Sequence, residues 1–328
     1  MQFKHQIFFL LAPIFAIVAC DKVSPPKYGC TNPLALNYDA DATLDDGNCE
    51  FDPSLLRGCT DSTAANFDPA ALIDDCKCRY DSVRTVLLED YTGFRCSNCP
   101  EAAEELKRLQ CLYGARVIPL AVHVTETFAE PENNPDGSFE TDFRTDIGNI
   151  YESTFETGLF LPNGMVNRKQ FQGTYYQTWQ GWDGLVKDEL AKPPEALIDL
   201  NVNYDEGTRE ATAEIKISAL VNLNASPYRL SVLLSEDSII DWQKDYRLTP
   251  PKTSNYVHMH TLRAAFNGTW GDEVNSGNPI PAGFTETTSK SLIIEPEFVD
   301  HNCNVVVFIF RDDTKEVIQA EYKPVIKE

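Results

Sequence analysis

Two cysteines placed between a strand and a helix narrow the folds open to this chain more than any other motif. Residues 83–88 form an apolar, β-branched run typical of a buried strand. Cys96-Ser97-Asn98-Cys99 follows a short loop, and Pro100 takes the first position of a segment with apolar residues at helical spacing. Free N–H groups and the helix dipole stabilise a thiolate at a helix start. We therefore predict that Cys96 attacks and Cys99 resolves in thiol–disulfide exchange.

The order strand, Cys-x-x-Cys, helix resembles the start of a thioredoxin-like domain. Leu161-Pro162 stands where that fold keeps a cis-proline, and the resemblance implies that these two residues bind a substrate peptide. Asp90, six residues before Cys96, matches the fold's buried carboxylate, which takes a proton from the resolving thiol. Its strand parity with the apolar residues before it supports an inward side chain. We assign residues 81–192 to this domain.

An inserted helical region is expected between the Cys-x-x-Cys motif and Leu161-Pro162. Aromatic and apolar residues share one face of a helix there, at Phe139, Phe143, Ile147, Tyr151 and Phe155. By analogy of fold, such an insertion lies near the active-site side and narrows access to Cys96.

The first residues of the chain are typical of a bacterial lipoprotein signal. Ile7 to Ala19 form an apolar segment too short to span a bilayer, and the tetrad ending in Cys20 resembles a lipobox. We predict a signal peptide over residues 1–19, lipid on Cys20 and a tether over residues 20–28. An ordinary secretory signal cleaved elsewhere is the alternative.

Residues 29–80 contain an internal repeat that pairs four of the ten cysteines. Each copy opens on Gly-Cys-Thr, and its outer cysteines lie 19 positions apart. Because each unit is too small to bury a core, we predict one disulfide per unit, Cys30 with Cys49 and Cys59 with Cys78. The units resemble Gly-Cys-Thr repeats in exported proteins of Bacteroidota, which suggests a stalk or spacer.

The charge balance is strongly acidic, with 50 acidic against 28 basic residues. This excess argues against binding to nucleic acid. Asp39, Asp41, Asp45 and Asp46 cluster as calcium ligands do, but an EF-hand loop counted from Asp39 needs Gly where Leu44 stands. We expect solvated turn residues and no cofactor, with calcium in the acidic repeats as the weaker alternative.

Residues 193–328 are predicted to form an antiparallel β-sandwich behind a linker at Lys192-Pro193-Pro194. His258 and His260 would then point to one face of a strand, where paired polar residues are favoured over a metal site. The strand-like segments are Ala196 to Tyr204, Ala211 to Val221, Tyr228 to Leu234, Tyr256 to Leu262, Ser291 to Ile294, Val305 to Phe310 and Val317 to Tyr322. The fold class is thus α/β plus all-β, with disulfide-stapled N-terminal repeats.

Three cysteines, Cys76, Cys111 and Cys303, have no partner assigned by the repeats or by the Cys-x-x-Cys motif. One of them is therefore free or bonded elsewhere. Cys111 lies nearly opposite the apolar stripe of its helix and faces another domain or solvent. A bond from Cys111 to Cys76 or to Cys303 would lock two domains together. We slightly favour an interdomain disulfide between Cys111 and Cys303.

Several motifs together resemble the Omp28-related lipoproteins, and the resemblance covers roughly residues 83 to 328. It implies an outer-membrane lipoprotein with a thioredoxin-like domain and a β-rich partner domain, exposed at the cell surface in one arrangement. The motifs are Leu88-Glu89-Asp90-Tyr91-Thr92-Gly93, Cys96-Ser97-Asn98-Cys99-Pro100, Pro162-Asn163-Gly164-Met165-Val166-Asn167-Arg168, Tyr256-Val257-His258-Met259-His260, Leu262-Arg263 and Val317-Ile318-Gln319-Ala320.

The Cys96/Cys99 pair has three interpretations: a redox pair, an inert disulfide and a zinc site, of which zinc lacks further ligands. Two functions follow. The chain is a membrane-tethered thiol–disulfide oxidoreductase acting on exported proteins, or a non-catalytic accessory lipoprotein within an outer-membrane assembly. In both, the partners are the membrane, through the N-terminal lipid, and other envelope proteins.

Overall fold

The structure, a computed structural model, describes residues 27–52, 55–224 and 227–327. The signal segment and Cys20 lie outside these residues, so the lipid anchor stays a prediction. Within the described part of the chain, no helix combines the length and apolar character needed to cross a bilayer.

Strands predominate among the described residues, and helices flank only part of them. The strands are β1 (Tyr28–Gly29), β2 (Leu44–Asp45), β3 (Arg57–Gly58), β4 (Ile73–Asp74), β5 (Val86–Thr92), β6 (Val117–His123), β7 (Asn163–Val166), β8 (Ala196–Asp205), β9 (Glu210–Ala219), β10 (Tyr228–Glu236), β11 (Ile239–Lys244), β12 (Lys252–His258), β13 (Thr261–Ala265), β14 (Asp272–Glu273), β15 (Thr285–Ile293), β16 (Cys303–Arg311) and β17 (Val317–Pro324). The α-helices are α1 (Cys99–Tyr113), α2 (Glu126–Ala129), α3 (Asp146–Phe155) and α4 (Trp182–Leu190).

The largest sheet runs through most of the molecule in the order β7-β5-β6-β13-β10-β16-β17, with β14 paired to β10. β5 and β6 are parallel, and β7 is antiparallel to β5. β13 joins β6 through Thr261 opposite Ala121. Strands from both sides of residues 192–194 therefore share one sheet, and the predicted domain division at that point stays a prediction.

The core is built in four layers. α1 and α4 cover one face of β5 and β6, where Val86 and Leu88 pack with Leu106 and Trp182. The opposite face of these strands, which carries Leu87 among others, packs against residues of β16 and β17. A second sheet, β15-β9-β8, lies against the outer faces of β10 and β16. Because β5 and β6 are buried on both faces, β6 is a nearly continuous apolar run, as is the first half of β5. The second half of β5 buries Glu89 and Asp90.

The inserted region is less helical than its sequence period suggests. α3 begins only at Asp146, so Phe139 and Phe143 lie outside it, and Phe139 has a left-handed φ of 66°. Both rings pack on Phe94 instead, with centroid separations of 5.6 and 6.0 Å. The expectation of one helical face over these residues is wrong, because the aromatic spacing serves a tertiary cluster.

The predicted strand through Tyr256 to Leu262 is interrupted. β12 ends at His258, and His260 has a left-handed φ of 57° before β13 begins. The two histidines therefore do not share a strand face. His260 Nδ1 lies 2.9 Å from Asp237 Oδ1, and its Nε2 lies 3.0 Å from Gln110 Oε1.

Each N-terminal repeat closes on one disulfide, Cys30–Cys49 in the first and Cys59–Cys78 in the second. An aspartate organises the same loop in both copies: Asp45 accepts from the Thr31 backbone N–H and hydroxyl at 3.0 and 2.8 Å. Asp74 makes the equivalent bonds to Thr60 at 3.0 and 2.9 Å. These bonds give a unit without a large core a defined shape.

Cys111 is bonded to Cys76 and not to Cys303. This disulfide joins the second repeat to α1. Cys76 takes the place that Gly47 holds in the first repeat, and both have left-handed φ angles, 61° and 69°. That loop faces α1, where Cys111 is exposed. Cys303 is a free thiol, fully buried at the start of β16 among the core residues of the second sheet. The slight preference for Cys303 was wrong because the sheet separates it from α1.

Candidate functional site

Cys96 and Cys99 form a disulfide where β5 hands over to α1. Cys99 is the first residue of α1, and Pro100 follows it in the first turn, where no intrahelical partner for its nitrogen is needed. Cys99 N–H donates to the Cys96 carbonyl at 3.3 Å. Both cysteines are only 2% exposed. The disulfide thus lies at a helix N-terminus but beneath a protein surface.

Two neighbouring carboxylates on β5 are buried in opposite electrostatic settings. Glu89 receives two hydrogen bonds from the Arg168 guanidinium at 2.7 and 2.8 Å, and both side chains are fully buried. Asp90 lies on the face that α1 covers, and its Oδ1 has no hydrogen-bond partner. Burial raises the pKa of Asp90 to about 8. Asp90 is therefore mostly protonated at neutral pH and able to exchange a proton.

The predicted substrate ledge lies at the same end of the sheet as the disulfide. Tyr91 of β5 pairs with Asn163 of β7, which places Pro162 next to the end of β5. The Leu161–Pro162 peptide bond is cis. Leu161 is buried in the same apolar cluster as Cys96 and Cys99. The structure thus brings these predicted residues together.

A β-hairpin from the C-terminal half of the chain covers the Cys-x-x-Cys loop. We call residues 239–258, which comprise β11, β12 and their connection, the cover hairpin. Lys244 N–H donates to the Phe94 carbonyl at 2.7 Å, and Tyr246 N–H donates to the Ser97 carbonyl at 3.2 Å. These bonds lie on either side of Cys96 in the sequence and explain why the disulfide is closed to solvent.

Gln243 fastens the cover hairpin at its centre. Its Nε2 donates to the carbonyl oxygens of Cys96 and Lys244, both at 2.9 Å, and lies 3.4 Å from that of Gly93. The side chain is only 2% exposed. It follows an irregularity in the hairpin register at Asp241. The amide thus adds a buried side-chain donor to carbonyls of the Cys-x-x-Cys loop, which also accept from backbone N–H groups.

A ring of aromatic and histidine side chains anchors one end of the cover hairpin. Trp242 packs near Phe139 with ring centroids 6.1 Å apart, and the His258 ring lies 5.0 Å from Phe143. His258 Nε2 lies 3.2 Å from the Trp242 carbonyl oxygen. Burial lowers the pKa of His258 to about 4 and lowers that of neighbouring His123 well below its ordinary value. Both imidazoles are therefore neutral at neutral pH.

Polar contacts with residues of α1 hold the connection between β11 and β12. Arg247 makes an ion pair with Glu104 at 2.8 Å, and the Tyr246 hydroxyl donates to Glu101. Sequence reasoning missed Gln243, Tyr246 and Arg247, because each acts on residues about 145 positions away and no local pattern marks that contact. The motif around Tyr256-Val257-His258 was the one local sign that this segment matters.

Acidic residues of the first repeat bond within the repeat, and two of them, Asp45 and Asp46, also line a cleft with Glu101 near the start of α1. Asp39 forms an ion pair with Lys27 at 2.8 Å, which lowers the pKa of Asp39. Asp45 also accepts from Gly47 N–H at 2.7 Å. These oxygens act as turn acceptors in the repeat, and calcium binding there stays a prediction.

Fold and site together define a mainly β protein in which a strand–helix disulfide is closed by the chain's own hairpin. The chain belongs to the family described as Outer membrane protein Omp28, whose sequence profile matches residues 149–328. This confirms the resemblance to the Omp28-related proteins and places the protein at the outer membrane. The matched residues include the cover hairpin and begin after Cys99.

Among solved structures, the chain is similar to HBP35 of Porphyromonas gingivalis, with 17% identity, a TM-score of 0.54 and coverage of 74% of this chain and 76% of that one. It also matches a domain of the outer membrane lipoprotein Omp28 from Porphyromonas gingivalis, with 20% identity, a TM-score of 0.29 and coverage of 41% and 90%. The first likeness supports the fold. No curated protein sequence matches the chain.

Proposed function

We propose that this protein is an outer-membrane lipoprotein, anchored through Cys20, whose thioredoxin-like domain exchanges disulfides with exported proteins at Cys96 and Cys99. The observation that carries the proposal is Asp90, a buried carboxyl without a cation on the strand that leads to the disulfide. Its neighbour Glu89 is neutralised by Arg168. A buried group left without a partner is unfavourable for stability, and such groups concentrate at functional sites.

The chemistry is a reversible two-electron exchange. A partner thiolate attacks the Cys96 sulfur, a mixed disulfide forms, and Cys99 leaves as a thiolate that takes the Asp90 proton. The second partner thiolate then attacks the partner's own sulfur and expels the Cys96 thiolate. The partner becomes a disulfide and Cys96/Cys99 a dithiol. In the reverse direction Cys96 attacks a partner disulfide, and Asp90 takes the proton from Cys99.

The β7-β5-β6 arrangement, with α1 on one face and Leu161-Pro162 at the end of β5, supports the assignment to the thioredoxin-like class. Leu161 and Pro162 would bind the backbone of the partner segment. The β15-β9-β8 sheet and its packing against β10 and β16 support the antiparallel sandwich.

Trapping tests the proposal. The full chain with Cys99→Ala, reduced beforehand, is mixed with a synthetic peptide that contains one intramolecular disulfide. We expect a stable mixed disulfide at Cys96, detected by mass spectrometry after alkylation, because no resolving thiol remains. Cys96→Ser is the control and forms no adduct. Equal adduct in both variants, or in neither, contradicts the proposal.

A second candidate function is favoured by the burial of the disulfide. With both cysteines 2% exposed under the cover hairpin, Cys96–Cys99 serves as a structural bond in a non-catalytic binding lipoprotein. This function requires that the folded chain resist reduction by a small dithiol until it unfolds. Reduction that is faster than global unfolding, measured in parallel, contradicts it.

A further inference from the structure

We propose that the cover hairpin is an autoinhibitory segment that occupies the docking site of an extended polypeptide and is displaced when that polypeptide binds. This inference rests on the exchange function proposed above, and it adds the substrate class and a gate.

The hairpin bonds to the Cys-x-x-Cys loop through its main chain. Lys244, the last residue of β11, and Tyr246, in the turn that follows, donate their backbone N–H groups to the carbonyl oxygens of Phe94 and Ser97. Both donors are main-chain groups, which every polypeptide segment carries. Main-chain donors of this kind recognise polypeptides without regard to side-chain sequence.

The hairpin is also poorly supported as a unit of structure. Among the residues that the structure describes, β11 and β12 pair only with each other, in a sheet of two strands. An isolated two-stranded hairpin is marginally stable in water, so its position depends on contacts outside it. The anchored end has the aromatic cluster of Phe94, Phe139 and Phe143, with Trp242 packed against it.

The free end, residues 244–251, has weaker supports. Arg247 and Glu104 are 35% and 46% exposed, and Lys252 and Asp136, a second ion pair beside the connection, are 30% and 51% exposed. Ion pairs this exposed contribute little to stability. The hairpin is therefore built to open at residues 244–251 while β11 and β12 stay anchored at Trp242 and His258.

The outward face of the cover hairpin exposes apolar side chains. Ile240 and Val257, which pair across the two strands, are 68% and 47% exposed. Opening at residues 244–251 leaves their environment unchanged. It removes the backbone bonds of Lys244 and Tyr246, and Gln243 loses its bond to the Lys244 carbonyl. A polypeptide that supplies two backbone donors replaces those of Lys244 and Tyr246.

Loosening the free end tests the gate. In the full chain with Gln243→Ala and Arg247→Ala, we expect dithiothreitol to reduce Cys96–Cys99 about tenfold faster than in the wild type, because the open population rises. Lys290→Ala, which breaks an ion pair of 2.7 Å with Asp272 far from the site, is the matched control and leaves the rate unchanged. Equal rates in the double variant and the wild type overturn the gate.

Hydrogen exchange separates the gate from the exchange function. In the Cys99→Ala adduct with the disulfide peptide, we expect the amides of Lys244 and Tyr246 to lose protection while those of β10 keep it. An adduct with these amides still protected overturns the gate and leaves the exchange function standing. A third outcome is that Gln243→Ala with Arg247→Ala is reduced faster than the wild type but forms no adduct with the peptide, even when Cys99→Ala is added. That outcome supports the gate and overturns the exchange function.

Discussion

At the scale of single residues, β5 buries two carboxyl groups side by side and treats them differently. Glu89 faces a cation enclosed by aromatic rings, with the Arg168 guanidinium carbon 4.2 Å from the Tyr151 ring centroid and 4.8 Å from that of Phe308. Asp90 has no cation and holds its proton at neutral pH. One buried carboxyl group is therefore paired with a cation, and the other holds a proton instead.

Asp90 makes stability depend on pH in a direction that can be measured. Because burial raises its pKa to about 8, the folded state holds this proton where the unfolded state, with a pKa of about 4, has lost it. The free energy of unfolding therefore falls as pH rises from about 4 to about 8. Between pH 5 and pH 8 we expect Asp90 to contribute a loss on the order of 4 kcal/mol, absent in Asp90→Asn.

Urea denaturation at the two pH values checks this difference. Asp188→Asn is the matched control, because it makes the same chemical change at an exposed position on α4. A pH dependence that is identical in Asp90→Asn and the wild type contradicts the assignment of this proton to Asp90.

Arg168 is the second residue with a predictable effect. Arg168→Ala leaves Glu89 buried and charged without a partner, so we expect a loss of about 3–5 kcal/mol in the free energy of unfolding. Replacing both residues with Met removes the charge together with its counterion and recovers most of that loss. Thermal and urea unfolding measure both. A double variant as unstable as Arg168→Ala contradicts this view of the pair.

At the scale of elements, α1 organises the molecule through both of its faces. It carries Cys99 of the Cys96–Cys99 disulfide at its start, covers β5 and β6, and binds the two repeats along its outer side. A Cβ atom added to Gly47 of the first repeat would lie 3.8 Å from the Lys107 side chain. The equivalent Cys76 of the second repeat is bonded to Cys111, one helical turn on. The two repeats thus pack along one side of α1.

The Cys76–Cys111 bond is expected to hold the repeats in this position. It closes 35 residues of chain, so Cys76→Gly with Cys111→Ala should lower the free energy of unfolding by about 3–4 kcal/mol in the loop-entropy description. Small-angle scattering should show a larger radius of gyration as the repeats detach. Cys76→Ala with Cys111→Ala is the matched comparison, less stable by about 1 kcal/mol because alanine is disfavoured at a left-handed φ. Equal stability of the two pairs contradicts this account.

Local signals sufficed for the elements around Cys96 and Cys99. Pro100, the helical stripe and the strand before Cys96 all act within a few residues, and the sequence analysis placed strand, cysteines and helix in their observed order. The cover hairpin was missed because Gln243 makes its bonds across 147 positions, to Cys96. Cys111 was assigned the wrong partner for the same reason: distance in the chain does not report which face of a sheet a thiol occupies.

At the scale of the whole molecule, the C-terminal strands complete the core around the N-terminal ones. Phe308, Phe310 and Val317 pack in one cluster with Leu87 and Ile118 of β5 and β6. Val317 N–H also donates to the Asn167 carbonyl at 2.8 Å. The face of the sheet opposite α1 is therefore covered by residues more than 100 positions away.

This shared core predicts how the chain behaves when cut. A fragment of residues 81–192 exposes the apolar face of β5 and β6, so we expect no cooperative unfolding transition and strong binding of a hydrophobic dye. Residues 81–327 keep β16 and β17 and should unfold cooperatively. Calorimetry on both fragments decides the matter. A cooperative transition in the shorter one would instead support an independent domain ending at 192.

The docking of the first repeat fixes where the N-terminal tether joins the folded part of the chain. Tyr28 packs near Trp179, with ring centroids 6.4 Å apart, in a cleft that it shares with Glu101, two residues past Cys99. From Cys20 to Tyr28 the backbone reaches at most about 28 Å when fully stretched. The acyl chain proposed on Cys20 would therefore hold this cleft, and the start of α1 with it, close to the lipid surface.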